Sequence, residues 1–291
     1  MNIEKVPFIR LEGCGNNFMV IHDLERSLLS AVPDIALFSR KLQERSFGWG
    51  GDGVLYVTRT PRGLFEMVGR NPDGSAMGMC GNGIRCVTRS LYMTGTVAPT
   101  AISLEFEVEG RKIICDSSTS GKMVRVNMGK PSFAPKEVPL SIDHELTSHP
   151  VSIEDQTFNI TTVSMGNPHC VIPVERLTDV NFENFGPLLE NHKLFPERAN
   201  VEFVETITSQ HFKVLVWERG VGPTLACGTG ACAVVVAMNK LGRTGANATV
   251  SLPGGDLQVE LQGGAVYLTG PARELGEGML SSDFIERCMR E

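Results

Sequence analysis

Short apolar or alternating segments of strand length recur along the chain and predict a fold dominated by sheet. Alternation places one face of a strand in the core and the other in water. The predicted strands are 18–22, 54–57, 64–68, 102–108, 122–128, 201–207, 211–217 and 256–261. The 31 glycines fit the many tight turns that such a fold needs. The pattern therefore predicts strands with few helices between them.

Two stretches have helical periodicity, and both begin at the motif Cys-Gly-x-Gly. After Cys80, apolar residues follow at helical spacing as far as Leu91. After Cys227, the run 231–238 is apolar on every side, which requires a buried helix. Each half of the chain is therefore predicted to contain a buried helix with a cysteine at its N-terminus.

Internal similarity indicates that the chain is built twice. The two cysteine motifs lie 147 residues apart, and segment 15–21 resembles segment 166–172 at a spacing of 151. A weaker match sets 104–110 against 257–263. Prolines interrupt the stretch 129–150, which is typical of a domain boundary. We expect two similar α+β domains, each of them mostly sheet around few helices.

Composition narrows the classes of protein. With a net charge of −6 and 21% charged residues, the chain has no basic run interleaved with aromatic residues, so nucleic acid is not expected as a partner. Residues 1–10 lack a signal-peptide core, and the run 231–238 is too short to span a bilayer, so we expect a cytoplasmic protein with no membrane partner. Eight cysteines are too sparse for a disulfide scaffold in 291 residues, and all are expected to be reduced.

The cysteine that begins each predicted helix is the candidate catalytic group. At a buried helix N-terminus it faces backbone N–H groups and the positive end of the dipole, which favour the thiolate. If the two helices face one cleft, their first-turn N–H groups can clamp a substrate carboxylate. These groups belong to Gly81, Asn82, Gly228 and Thr229. One sulfur of the pair Cys80 and Cys227 would then remove an α-proton while the other donates a proton to the opposite face, which is racemisation without a cofactor.

Long segments from end to end carry a further signal. They are GCGNNF at 13–18, FGWGGDG at 47–53, NPDGS at 71–75, MCGNGIRC at 79–86, SMGNPHC at 164–170, FPERAN at 195–200, WERG at 217–220, ACGTGACA at 226–233, LPGG at 252–255 and TGPA at 269–272. In these segments the sequence resembles the diaminopimelate epimerase family, whose fold is shared with proline racemase.

The resemblance implies an isomerase of lysine biosynthesis that interconverts L,L- and meso-2,6-diaminopimelate without pyridoxal phosphate, any other cofactor or a metal. It implies that Cys80 and Cys227 are the catalytic bases. The family's substrate-contacting positions fall on Asn16, Asn71, Asn167, Asn200, Glu218 and Arg219, beside the first-turn residues Gly81, Asn82, Gly228 and Thr229. Arg219 can bind the distal carboxylate with two hydrogen bonds, and Glu218 can accept from the distal ammonium. His169, near the first cysteine in the family, and Glu218, near the second, are hypothesised to balance protons.

The resemblance also implies an architecture. Each of two pseudo-symmetric α+β domains is expected to be a mixed sheet curled into a barrel around a central helix, with the active site in the cleft between them. The first domain would comprise residues 1–128 together with the C-terminal segment 273–291, and the second residues 129–272. A homodimer is plausible from the family.

The sequence departs from the usual family pattern at a few positions. Asn17 replaces an aspartate, Pro72 an alanine, and Gly78 and Pro223 each replace a glutamate. Because fewer anions would then oppose the thiolates, we expect lower pKa values for the two cysteines than in another epimerase.

Other interpretations remain open at this point. The two motif cysteines could be structural thiols, a switchable disulfide pair, or members of a zinc site with Cys86 and Cys232. Asn82 and Thr229 could act as helix caps. The enzyme could instead racemise proline, hydroxyproline or histidine. The remaining cysteines are expected to be core or surface residues, and they are Cys14, Cys86, Cys115, Cys170, Cys232 and Cys288.

Overall fold

A computed structural model describes residues 5–290. The chain forms two compact units, one extending to Val126 and resuming at Gly270, the other spanning Asn127–Thr269. These limits lie two and three residues before the expected ones at 128 and 272. The assignment of the units as independent domains stays a prediction.

The strands are β1 (Lys5–Gly13), β2 (Asn16–His22), β3 (Gly53–Arg59), β4 (Phe65–Arg70), β5 (Ala76–Met77), β6 (Ser103–Val108), β7 (Arg111–Asp116), β8 (Met123–Gly129), β9 (His149–Ile153), β10 (Gln156–Ser164), β11 (Pro168–Val174), β12 (Asn200–Thr208), β13 (His211–Glu218), β14 (Gly222–Thr224), β15 (Asn247–Leu252), β16 (Gly255–Gln262), β17 (Ala265–Pro271) and β18 (Arg273–Ser281). The helices are α1 (Ser27–Ala31), α2 (Ile35–Gln43), α3 (Gly81–Met93), α4 (Phe182–Glu190), α5 (Gly228–Lys240) and α6 (Ser282–Cys288), and a 3₁₀ turn covers Leu177–Asp179. Along residues 5–290, none of these helices is both long and apolar enough to cross a bilayer.

The first unit is a mixed sheet with one long buried helix. Strand β1 pairs antiparallel with β18 and β2, β2 pairs parallel with β3, and β4 pairs antiparallel with β3 and parallel with β6. Strands β6, β7 and β8 follow as an antiparallel meander. Helix α3 packs against β1, β2 and β3, so nearly all of its residues are buried.

The second unit has the same construction. Strand β10 pairs antiparallel with β9 and β11, β11 pairs parallel with β12, and β13 pairs antiparallel with β12 and parallel with β15. Strands β15, β16 and β17 form the antiparallel meander. Helix α5 packs against β10, β11, β12, β15 and β16. Its mainly alanine and valine sequence is thereby buried on all sides, as its composition predicted.

The order of elements confirms two similar α+β units with mixed sheets, whereas closure of each sheet into a barrel stays a prediction. By this order β6, which follows α3, corresponds to β15, which follows α5. The weak match of 104–110 with 257–263 was therefore wrong, because it pairs β6 with β16, the following strand. Both strands alternate and end at a glycine turn, so periodicity alone could not distinguish them.

Candidate active site

The two motif cysteines occupy the same local position. Each precedes its helix with extended backbone, at φ −113° for Cys80 and φ −123° for Cys227. Each sulfur accepts the backbone N–H of the residue three positions on, Gly83 or Gly230, at 3.3 Å. The cysteine sulfurs are therefore the N-caps, the place that the alternative interpretation gave to Asn82 and Thr229.

A second contact is repeated in both units. Asn16, at the start of β2, accepts a hydrogen bond at 2.5 Å from the side-chain amide of Asn82. Asn167, directly before β11, donates its amide to the hydroxyl of Thr229 at 3.2 Å. In each unit an asparagine at or directly before the start of a strand, β2 or β11, thus hydrogen-bonds the residue two positions after the cysteine. The first helical turn is fixed in the same way twice.

Behind Cys227 the second unit contains a chain of polar contacts. The Thr229 hydroxyl lies 3.4 Å from the Cys227 sulfur, and it accepts from the amide of Asn167. The carbonyl oxygen of that amide lies 3.0 Å from Nε2 of His169, whose Nδ1 lies 2.6 Å from Oε1 of Glu202. Both ring nitrogens thus face oxygen atoms that can accept hydrogen bonds. We name these five residues the polar chain.

The innermost pair of the polar chain is completely buried. The side chains of His169 and Glu202 have 0% exposure. Oε2 of Glu202 has no hydrogen-bond partner among residues 5–290. A Cβ at Gly230 would lie 2.8 Å from Oε1 of Glu202, so this carboxylate requires glycine in the first turn of α5. A buried ionisable pair costs desolvation free energy, and its presence calls for a functional reason.

In the first unit, apolar side chains occupy the positions that correspond to His169 and Glu202. The register of β2 with β3 sets Phe18 where β11 has His169, and Leu55 where β12 has Glu202. Both side chains are buried, and Leu55 approaches Gly83 as Glu202 approaches Gly230. The two units therefore share the cysteine cap and the asparagine contact. They differ in the buried pair beside the first helical turn, which is apolar in the first unit and polar in the second.

The surroundings of Cys227 oppose its ionisation. Burial raises the pKa of its thiol well above the usual value, and the charges of Glu218 and Glu202 raise it further. The hydrogen bonds from Thr229 and from the Gly230 N–H lower the pKa, as expected at a helix N-terminus, but they do not cancel this rise. Desolvation therefore outweighs the N–H dipoles in the ligand-free protein. Cys80 is partly exposed.

Glu218 belongs to the same electrostatic group. Burial raises the pKa of its carboxyl, while the Thr224 hydroxyl, which donates to Oε1 at 2.6 Å, lowers it. Glu202 raises the pKa of Glu218 further and His169 lowers it. The resemblance placed His169 near the first cysteine, whereas the contacts within the second unit connect it with the surroundings of Cys227.

Glu218→Gln is expected to make Cys227 more reactive. The charge of Glu218 raises the thiol pKa of Cys227, so removing it moves the profile of thiolate against pH to lower pH. We expect alkylation of Cys227 by iodoacetamide at pH 8 to become about tenfold faster, measured by peptide mass spectrometry on the ligand-free protein. Glu183→Gln, at an exposed glutamate of α4, is the matched control and should not change the rate. An unchanged rate in the Glu218 variant would remove Glu218 as a cause of the raised pKa.

Two of the predicted substrate-binding asparagines use their amides inside the protein. Asn200 is buried and donates to the carbonyl of Pro168 at 2.9 Å, while its own carbonyl accepts the Arg219 N–H at 3.0 Å. It thereby ties the start of β11 to the turn that carries Arg219. Asn71 donates to Ser75 and Ala76 and closes its own turn.

Sequence reasoning missed two charged residues near the cysteines. Glu202 lies between Val201 and Phe203 in the buried part of β12, and an acid between these apolar residues was the available signal. Arg85 is completely buried in α3, where it donates to the carbonyls of Gly81 at 3.0 Å and Pro271 at 3.1 Å. Arg85 therefore supports the turn that follows Cys80.

Gly78 and Pro223 each replace a glutamate of the family pattern, but other acidic residues lie near both cysteine loops. A Cβ at Gly78 would lie 3.3 Å from Oε2 of Glu109, so a carboxylate from the β6–β7 turn stands beside that position. On the other side, Glu218 and Glu202 act on Cys227 although residue 223 is proline. The comparison of thiol pKa values with another epimerase stays a prediction.

The other cysteines are buried thiols. Burial raises the pKa of Cys115 to about 12 and that of Cys288 to about 11, which makes both weak nucleophiles at neutral pH. Among the residues that the structure describes, no three His, Cys, Asp or Glu side chains are placed to hold a metal ion, so the zinc interpretation gains no support.

The fold of this chain is similar to that of several solved proteins. A hydroxyproline epimerase from Agrobacterium vitis matches with a TM-score of 0.69 at 15% identity, over 97% of this chain and 92% of that one. A phenazine biosynthesis protein of the PhzF family from Bacillus anthracis matches with a TM-score of 0.68 at 14% identity, over 96% and 99%. At such identities the likeness shows the fold alone.

Sequence comparison is more specific. The family model for diaminopimelate epimerase matches residues 8–134 and 161–275. Diaminopimelate epimerase from Carboxydothermus hydrogenoformans is 42% identical over 274 residues, and the one from Leptospira biflexa 40% identical over 279, each match covering 94% of this chain and 98% of the relative. The chain belongs to the diaminopimelate epimerase family, and the resemblance seen in its motifs is confirmed.

Proposed function

We propose that this chain interconverts L,L- and meso-2,6-diaminopimelate by a two-base mechanism that uses Cys80 and Cys227. The observation that carries the proposal is the duplicated half-site, in which a cysteine caps a buried helix and an asparagine fixes the turn that follows. A reaction that removes a proton from one face of a carbon and delivers one to the other needs two similar groups. Membership of the diaminopimelate epimerase family supports diaminopimelate as the substrate.

In this mechanism the first-turn N–H groups of α3 and α5 bind the α-carboxylate of the reacting centre. One thiolate takes the α-proton, so that the C–H bond breaks, an S–H bond forms and the electron pair passes into the carbon and its carboxylate. The opposite thiol then gives its proton to the other face and becomes the thiolate. N–H dipoles aimed at the carboxylate oxygens stabilise the charge that develops.

The distal amino acid of the substrate is bound by the turn after β13. Arg219 pairs with the distal carboxylate, and Glu218 accepts from the distal ammonium. Burial raises the pKa of Glu218, and an ammonium beside it opposes that effect and favours the carboxylate, an attraction that the low dielectric strengthens. Single-headed amino acids would leave both groups without their partners.

We infer from the raised pKa of Cys227 that this thiol begins as the acid and Cys80 as the base. When Cys227 later becomes the thiolate, the Thr229 hydroxyl stabilises the negative charge, and Asn167 holds that hydroxyl in place. His169 and Glu202 in turn hold Asn167.

Exchange of the α-proton tests this function directly. We expect incorporation of deuterium from deuterated water into L,L-diaminopimelate under reducing conditions, with meso product forming at the same time, and at least about 10²-fold slower exchange with proline, hydroxyproline or histidine. NMR of the recovered amino acid measures both. Preferential exchange of a single-headed amino acid would transfer the assignment to another racemase, and a protein that exchanges nothing while its cysteines oxidise together would favour the redox interpretation.

Lysine biosynthesis follows from this activity as the pathway. The cytoplasmic location and the homodimer stay predictions.

A further inference from the structure

The turn that carries Glu218 and Arg219 is anchored to a buried carboxylate. Glu190, the last residue of α4, is only 5% exposed. Its Oε2 accepts the indole N–H of Trp217 at 2.8 Å, and its Oε1 accepts the backbone N–H of Gly220 at 2.7 Å. These two donors directly flank Glu218 and Arg219 in the sequence, so one side chain holds both ends of the pair.

The geometry of the turn makes this anchor specific. The N–H of Val221 bonds the carbonyl of Glu218 at 3.0 Å, and Gly220 has φ +76° at the third position of the resulting turn. The Val221 N–H closes the turn, so the Gly220 N–H is available to another acceptor, and Glu190 accepts it. The Arg219 N–H is held from another direction by Asn200.

Helix α4 is shaped to bring Glu190 to this place. A Cβ at Gly186 would lie 2.6 Å from the Trp217 ring, so glycine there allows the indole to lie against the helix. An acid in the last turn of a helix is opposed by the negative end of the dipole, and burying it adds desolvation. Charge-assisted hydrogen bonds from two N–H groups, with the Arg198 guanidinium at 3.4 Å, offset those costs. The helix tolerates an unfavourable residue where it supports the turn.

We propose that Glu190 is a positioning residue that sets the turn of Glu218 and Arg219 for recognition of the substrate's distal amino-acid group. The inference rests on the proposed function, because it assigns the purpose of the turn. Glu190 does not touch the reacting carbon. It acts through the orientation of the two side chains that bind the unreactive end of the substrate.

The test is Glu190→Gln, assayed with L,L-diaminopimelate. The glutamine carbonyl can accept only one of the two N–H groups, and its amide then points donors at the other, so the turn is released while volume is kept. We expect KM to rise about tenfold with kcat changed by less than about twofold, since distal binding is the same in the ground and transition states. Glu183→Gln, the same exchange at an exposed position of α4, should leave both constants unchanged.

Trp217→Phe provides a second measurement if Glu190→Gln fails to fold. It keeps an aromatic ring at this position and removes the indole donor together with one ring of the indole, so KM should rise about threefold. Lower thermal stability with an unchanged KM in the variants that fold would make Glu190 structural and overturn the inference alone. A wild-type protein that exchanges no α-proton would overturn the proposed function together with the inference.

Discussion

Replacing either Cys80 or Cys227 by serine is expected to lower epimerisation of L,L-diaminopimelate by at least about 10³-fold. Serine is similar in size and places a hydroxyl oxygen where the capping sulfur was, so the N–H groups of Gly83 and Gly230 retain an acceptor. What is lost is a group that can ionise near neutral pH, and each face of the carbon depends on one such group. Product formation and deuterium incorporation should fall together, as measured by NMR on the same samples.

The control for this result is Cys288→Ala. Cys288 is 2% exposed in α6, and its raised pKa of about 11 makes it a poor base, so its removal should leave turnover within about twofold of wild type. A serine variant at either motif cysteine that retained a tenth of wild-type activity would contradict the two-base mechanism. Equal losses in all three variants would indicate general damage rather than chemistry.

The second large effect is expected at the buried pair of the polar chain. Glu202→Leu or His169→Phe alone should each lower the free energy of unfolding by about 3–5 kcal/mol, because one partner is left in the core without the other. The double variant supplies the side-chain types that the first unit carries in Leu55 and Phe18, so stability should return to within about 1 kcal/mol of wild type. Its kcat should nevertheless fall about 10²-fold. Urea denaturation and the exchange assay measure the two quantities.

The double variant separates stability from function because the two readouts move in opposite directions. A stable double variant with wild-type kcat would show that the pair only fills the core. His169→Asn provides an independent check on the histidine. If that variant kept wild-type turnover and an unaltered pH profile, the proton-balancing role of His169 would be abandoned.

The helix-start cysteines and most central strands could be predicted from local sequence. The buried run after Cys227 has no polar face, so it could only be a core helix, and α5 begins at the residue after that cysteine. Strands such as β13 have strong alternation and appear at the predicted place. These features depend on periodicity over short segments, and neighbouring residues carry that information.

Features that depend on distant partners could not be predicted in this way. Strand β18 is defined by pairing with β1 at the other end of the chain, and α1 has only five residues, too few to show a helical period. Glu202 looks like an exposed acid on a strand until His169 is seen beside it on the neighbouring strand. The high pKa of Cys227 likewise depends on burial, which the local motif does not specify.

The two sulfurs differ in exposure and in their neighbouring residues. This difference affects how the protonation states of the two cysteines are restored between turnovers. On the proposed mechanism every catalytic cycle leaves the hydrogen on the opposite cysteine, so a second identical molecule cannot react until the distribution is reversed. Cys80, being partly exposed, can trade hydrogen with solvent water. Cys227 is only 7% exposed, so we expect its hydrogen to exchange with water more slowly. The two cysteines would then recover their starting protonation states at different rates.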